Sequence, residues 1–156
     1  MKHLFSTLAL LLILVSSSIG QTTPLRTKNF NLENKLAIQG YDPVAYFNQN
    51  SAVKGSKENA TYYMGATYYF SSAENKEEFK KDPARYEPQY GGWCAYAMGA
   101  KGEKVEIDPK TFKVANGKLY LFYNKYFNNT LPKWNNDENN LKKNADVNWE
   151  KIKTTK

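Results

Sequence analysis

Histidine and cysteine are almost absent from this chain, whose 156 residues hold one of each. The histidine is His3, inside a segment with the marks of a cleaved leader, so the mature protein is expected to have none. That excludes Ser-His-Asp and Cys-His catalysis, histidine-ligated zinc and histidine-based pH switching. A single cysteine, Cys94, excludes intrachain disulfides and every motif built on paired thiolates. Arginine is scarce as well: Arg26 and Arg85 are alone among 22 basic residues. The lysines are scattered, and many sit beside acids, as in Lys76-Glu77-Glu78 and Glu150-Lys151. A formal charge of +7 without a clustered, arginine-bearing stripe reads as solubility, with at most a loose attraction to anionic surfaces, and not as a nucleic-acid footprint.

Long apolar runs are also lacking. The only one, Leu8–Val15, is far shorter than the roughly 20 residues that span a bilayer. With Lys2 ahead of it and the small residues Ser16–Gly20 behind it, it has the three parts of a secretory signal. The expected division is a signal peptide over residues 1–20, a flexible lead-in over 21–34, one domain over 35–152 and a tail over 153–156. This places the chain outside the cytoplasm, periplasmic or secreted, with no membrane span once the leader is removed.

What is abundant is aromatic side chains, 15% of the residues. Thr61–Phe70 (TYYMGATYYF) predicts a hairpin, its turn at Gly65-Ala66 suiting a type II′ geometry. Ser71 with Glu74 three residues on predicts a capping box opening a helix that runs to about Asp82, before Pro83. Phe112–Ala115, Asn116-Gly117 and Leu119–Tyr123 predict a second hairpin. Trp93–Met98 is a short apolar run that its glycine pair and alanines tilt towards a helix. Trp134, Leu141, Ala145, Trp149 and Ile152 mark an amphipathic C-terminal helix starting after Pro132. The sum is a small α+β domain with two β-hairpins, short helices and that C-terminal helix.

Tyr62, Gly65, Tyr68, Phe70, Phe79, Pro83 and Tyr86 together resemble the YHS domain, itself similar to the Cys-rich TRASH metal-binding modules. Gly40–Phe47, Pro88–Ala95 and Gly117–Leu121 extend the resemblance to the exported bacterial branch of YHS proteins. The resemblance implies a fold and an exported location. Metal-binding relatives carry a cysteine just after the strand and another four residues on, where this chain has Ser71 and Asn75. A hydroxyl and an amide do not replace thiolates for a soft metal, so that pair of positions carries no metal binding over.

Two candidate sites follow. Cys94 and Met98, at i and i+4 on one helical face, with Met64 as a weaker third, form a soft-ligand set suited to copper(I). The ordinary use of all three is gap-filling in an aromatic core. Tyr68, Tyr90, Trp93 and Tyr96 are the alternative, a platform for an organic ligand or an envelope partner. Asp42, Glu74, Asp82, Glu87, Glu103, Glu106 and Asp108 offer carboxylates, but nothing in their spacing pairs two across a cleft, and no catalytic residue is assigned. The expected protein is a monomeric, non-enzymatic binding module for a soft metal ion or an envelope partner.

Overall fold

The computed structural model describes residues 23–155; the expected leader lies outside them. A short helix α1 (Thr23–Asn29) leads into strands β1 (Leu32–Glu33) and β2 (Leu36–Ala37), a 3-10 turn (Ile38–Gly40) and helix α2 (Pro43–Asn48). The first long hairpin pairs β3 (Ser56–Tyr63) with β4 (Ala66–Phe70) and feeds α3 (Ala73–Lys81) and α4 (Pro83–Tyr86). A 3-10 turn (Gln89–Gly92) opens α5 (Ala95–Lys101). The second hairpin, β5 (Asp108–Ala115) with β6 (Lys118–Phe122), is followed by a small third, β7 (Asn124–Lys125) with β8 (Asn128–Asn129). Helices α6 (Leu131–Asn136) and α7 (Glu138–Thr154) complete the order of an α+β domain. No described helix is long and apolar enough to cross a membrane.

Strand β6 explains the packing. Its side chains alternate between two cores: Leu119 and Leu121 enter one, Tyr120 and Phe122 the other, and all four are buried. The first core lies among β6, α2, α3, α4 and the four-stranded sheet of order β1-β2-β4-β3. On β4 the alternation is the one a half-buried strand requires, with Ala66, Tyr68 and Phe70 inward against Phe79 of α3. The second core lies between the other face of β6 and α5, α6 and α7, around the fully buried Trp134.

Several expectations are corrected. In the first hairpin the two-residue loop is Met64-Gly65, at φ 44° and 92°, with Tyr63 opposite Ala66. Two positive φ values make it a type I′-like turn, and the one-residue shift sets which tyrosines face inward. The cap of α3 is Ser72, whose hydroxyl accepts from the Asn75 N–H at 3.1 Å, because Ser71 is held elsewhere. The C-terminal helix breaks at Asp137 into two and continues to Thr154, leaving little tail.

Residues 23–34 are not a mobile lead-in. Arg26 is buried: its Nε donates to the Met64 carbonyl at 3.0 Å, and its guanidinium meets Glu87 and the Tyr68 hydroxyl. It also lies 4.0 Å from the Phe30 ring centroid. A polar segment with few apolar residues gave no sign of this, because its anchor is a charge.

Two predictions follow from the packing. At Gly99 a Cβ would come within 2.4 Å of the Leu141 carbonyl oxygen, so α5 and α7 touch backbone to backbone. Gly99→Ala should destabilise the protein by about 2 kcal/mol or more, read as a lowered denaturant midpoint, despite alanine's better helix propensity. Burial is also the main reason that Tyr46, Tyr68 and Tyr90 hold their protons far above the usual 10.0, and that Tyr120 is pushed up to about 12. These groups bind more protons folded than unfolded once pH passes 10.0, so stability is full below that pH and falls as pH rises above it. Phenolate absorbance should show a class of tyrosines that ionise only as near-UV circular dichroism is lost.

Candidate functional site

Asp42 is the best-connected polar side chain in the domain, and it is fully buried. Its Oδ1 caps α2, accepting from the N–H groups of Val44 at 2.9 Å and Ala45 at 3.3 Å. Its Oδ2 accepts from the Ser71 N–H at 2.8 Å, the Ser71 hydroxyl at 2.6 Å and the Asn75 amide at 2.7 Å. Ser71 and Asn75, the positions set apart by the resemblance, therefore do converge on one point, but that point is a carboxylate. Five donors occupy its lone pairs, leaving it no acceptor capacity for a substrate. The oxygen-and-nitrogen set does not fit a soft metal, and each group is already engaged. The site is a polar clasp joining the start of α2 to the start of α3.

The three sulfurs lie in three settings. Met64 is in the exposed turn between β3 and β4. Met98 is buried in the second core, with Phe122, Trp134 and Leu141. Cys94 is buried in the first. Cys94 caps α5 through its carbonyl, which accepts from the Met98 N–H at 3.0 Å, so the i, i+4 relation is met in the backbone. The side chains nonetheless enter different cores, because α5 crosses the boundary that β6 defines.

The Cys94 thiol has its own partners. The Tyr123 N–H donates to Sγ at 3.3 Å, and Thr130 Oγ1 lies 3.4 Å away. The Thr130 hydroxyl proton goes to the Tyr123 carbonyl at 3.0 Å, which leaves the S–H as donor to Thr130. Neither partner is a base. The sulfur forms the floor of a pocket of about 360 Å3 walled by Tyr96, Ala97, Ala100, Val105 and Tyr123, with Lys101, Glu103 and Asn128 at its mouth.

The expected aromatic platform does not form. Tyr68 and Tyr90 are buried, in different cores, with their hydroxyls on Glu87 and on Asp146. Trp93 and Tyr96 are half-buried; the Trp93 indole donates to the Asn29 carbonyl at 2.7 Å, and Tyr96 lines the Cys94 pocket. The rings that do face solvent are Tyr62, Tyr126 and Phe127. Trp149 and Phe30 border a larger cleft of about 560 Å3, but its carboxylates are committed: Asp146 to Tyr90 and Lys142, Glu87 to Arg26 and Tyr68, Glu150 to Lys153.

The fold is an α+β domain built on a hairpin that feeds a capped helix and a Pro-x-x-Tyr turn. Residues 44–90, from α2 into the turn before α5, match the model of the YHS domain family. No curated protein and no solved structure matches it. The Asp42 clasp spans the start of the matched segment, whereas Cys94 and its pocket partners lie almost wholly beyond its end.

The clasp makes a sharp prediction. Asp42→Ala removes a helix cap and strands the donors of Ser71 and Asn75, and should cost about 3 kcal/mol. Asp42→Asn, although nearly isosteric, should cost about as much, since its NH2 group must face donors instead of accepting from them. Equilibrium unfolding of both variants checks this; a mild effect of Asp42→Asn would mean that shape matters there more than hydrogen bonding.

Proposed function

We propose that the chain is an exported, non-enzymatic binding module that takes a small, largely apolar organic ligand in the pocket over Cys94. The observation that carries this reading is the pocket itself: about 360 Å3, within the range of small-molecule sites, with apolar walls and few polar groups. The thiol and the Thr130 hydroxyl on its floor supply directional contacts, and Lys101 and Glu103 give the mouth one charge of each sign. The bonding of Cys94 to an N–H and a hydroxyl supports binding over nucleophilic catalysis, which needs a base or cation to form the thiolate. Export rests on the leader-like residues 1–20 of the sequence. A soft metal ion is a separate reading, limited to the one thiol that this pocket presents.

Anilinonaphthalene sulfonate serves as the apolar probe. Its fluorescence should rise with the protein, and bound dye should slow alkylation of Cys94 by iodoacetamide. Ala100→Trp, on the exposed side of the pocket, should abolish both effects while leaving circular dichroism unchanged. Dye binding that persists in Ala100→Trp, or an alkylation rate indifferent to dye, would overturn the pocket as the site. Anaerobic copper(I) titration reaching one equivalent and lost in Cys94→Ser would instead establish the metal reading.

A further inference from the structure

The third hairpin has a loop that its residues do not favour. Asn124 pairs with Asn129 and Lys125 with Asn128, which leaves Tyr126 and Phe127 as the two loop residues, at φ 51° and 60°. Two successive left-handed residues define a type I′-like turn, normally filled by Asn-Gly because bulky side chains are strained there. Here both positions are aromatic. They are also the most exposed large apolar residues described, at 89% and 110% of their reference areas. A strained turn that holds two rings out in water has no use in packing; such outliers point to a contact made outside the domain.

The surroundings indicate the kind of partner. Residues 109–136 contain five lysines and no aspartate or glutamate. Lys125 flanks the tip directly, and Lys133 reaches it through its Nζ, which donates to Asn128 Oδ1 at 2.8 Å. Lys110 stands at the same end of β5, where Asp108 opposes Phe122. The carboxylates at this end are Asp108, turned back onto the Lys110 N–H and the Thr111 hydroxyl, and Glu103 at the mouth of the neighbouring pocket. Rings that project beyond a rim of cations complement a surface with anionic headgroups over an apolar interior.

We propose that the Tyr126-Phe127 hairpin is a membrane-interface anchor that seats its two rings among anionic lipid headgroups while Lys125 and Lys133 meet their phosphates. The anchor does not rest on the pocket reading, and it would hold the protein at a bilayer surface without any spanning segment. Two rings and a few lysines make a weak, reversible, salt-sensitive attachment.

Flotation with vesicles of phosphatidylcholine, pure or containing about one third phosphatidylglycerol, tests it. The protein should float with the anionic vesicles at low salt and not with the neutral ones, and high salt should release it. Tyr126→Asn/Phe127→Gly installs the residues the turn prefers, so its melting temperature should stay equal or rise while vesicle partitioning falls by roughly tenfold or more. Lys125→Gln/Lys133→Gln should weaken partitioning with the rings intact. Failure of the native protein to float, equal flotation with neutral vesicles, or undiminished flotation of the Asn-Gly variant would overturn the proposal. So would concentration-dependent self-association that the Asn-Gly variant abolishes, since the occupant would then be a second copy of the chain. Pocket occupancy, read by the dye, should be unaffected by whichever result is obtained.

Discussion

A strand buried on both faces has no solvent side to spare, and in this domain that strand is β6. Leu119 and Leu121 on one face, and Tyr120 and Phe122 on the other, each require an apolar wall opposite. Fully burying side chains of this size contributes about 1.5–3 kcal/mol apiece, which is large against the net stability of a small domain. The chain supplies one wall from the segment before Tyr90 and the other from α5, α6 and α7. Helix α5 must therefore lie along the boundary, giving Ala97 to one core and Ala95 and Met98 to the other. Its close approach to α7 at Gly99 follows from the need to bring Trp134 and Leu141 onto Tyr120 and Phe122. The separation of the Cys94 and Met98 side chains is a consequence of the same constraint.

The Asp42 clasp solves a related problem with polar groups. Helices α2 and α3 start near one another, and the N–H groups at a helix start need acceptors. A buried carboxylate beside these ends satisfies Val44, Ala45 and Ser71 at once. The resemblance to metal-binding YHS relatives places their cysteines at the positions of Ser71 and Asn75. Here those positions act as ligands of a carboxylate, and a side chain that arrives from a different part of the chain holds them together.

Much of the fold was legible because local chemistry and tertiary packing agree. Asn116-Gly117 at φ 51° and 69° is the turn its residues predict, and the hairpin around it forms as expected. The Ser-rich start of α3 was recognisable, but not which serine caps it: that choice depends on Asp42, 29 residues upstream of Ser71. Arg26 was invisible for the same reason, since its partners Met64, Tyr68 and Glu87 are distant in sequence. Periodicity places Cys94 and Met98 one turn apart, but Cys94 is the cap of α5, with a non-helical ψ of 116°, and the two side chains belong to different cores. The third hairpin was missed because a Tyr-Phe loop contradicts turn propensity, which is also what makes it informative.

These features divide the chain by role. The segment that matches the YHS family, residues 44–90, contributes the first long hairpin, the helices that follow it and most aromatic side chains of the first core, and it is clasped at its start by Asp42, just upstream. Beyond its end lie the pocket over Cys94, its charged mouth and the aromatic tip between β7 and β8. The tip and the pocket share Asn128 as a neighbour, and Tyr123 and Thr130 run from the thiol to the strands that carry the rings. The pocket and the tip adjoin through Tyr123, Asn128 and Thr130, while the Asp42 clasp ties together the starts of α2 and α3 beside the first core.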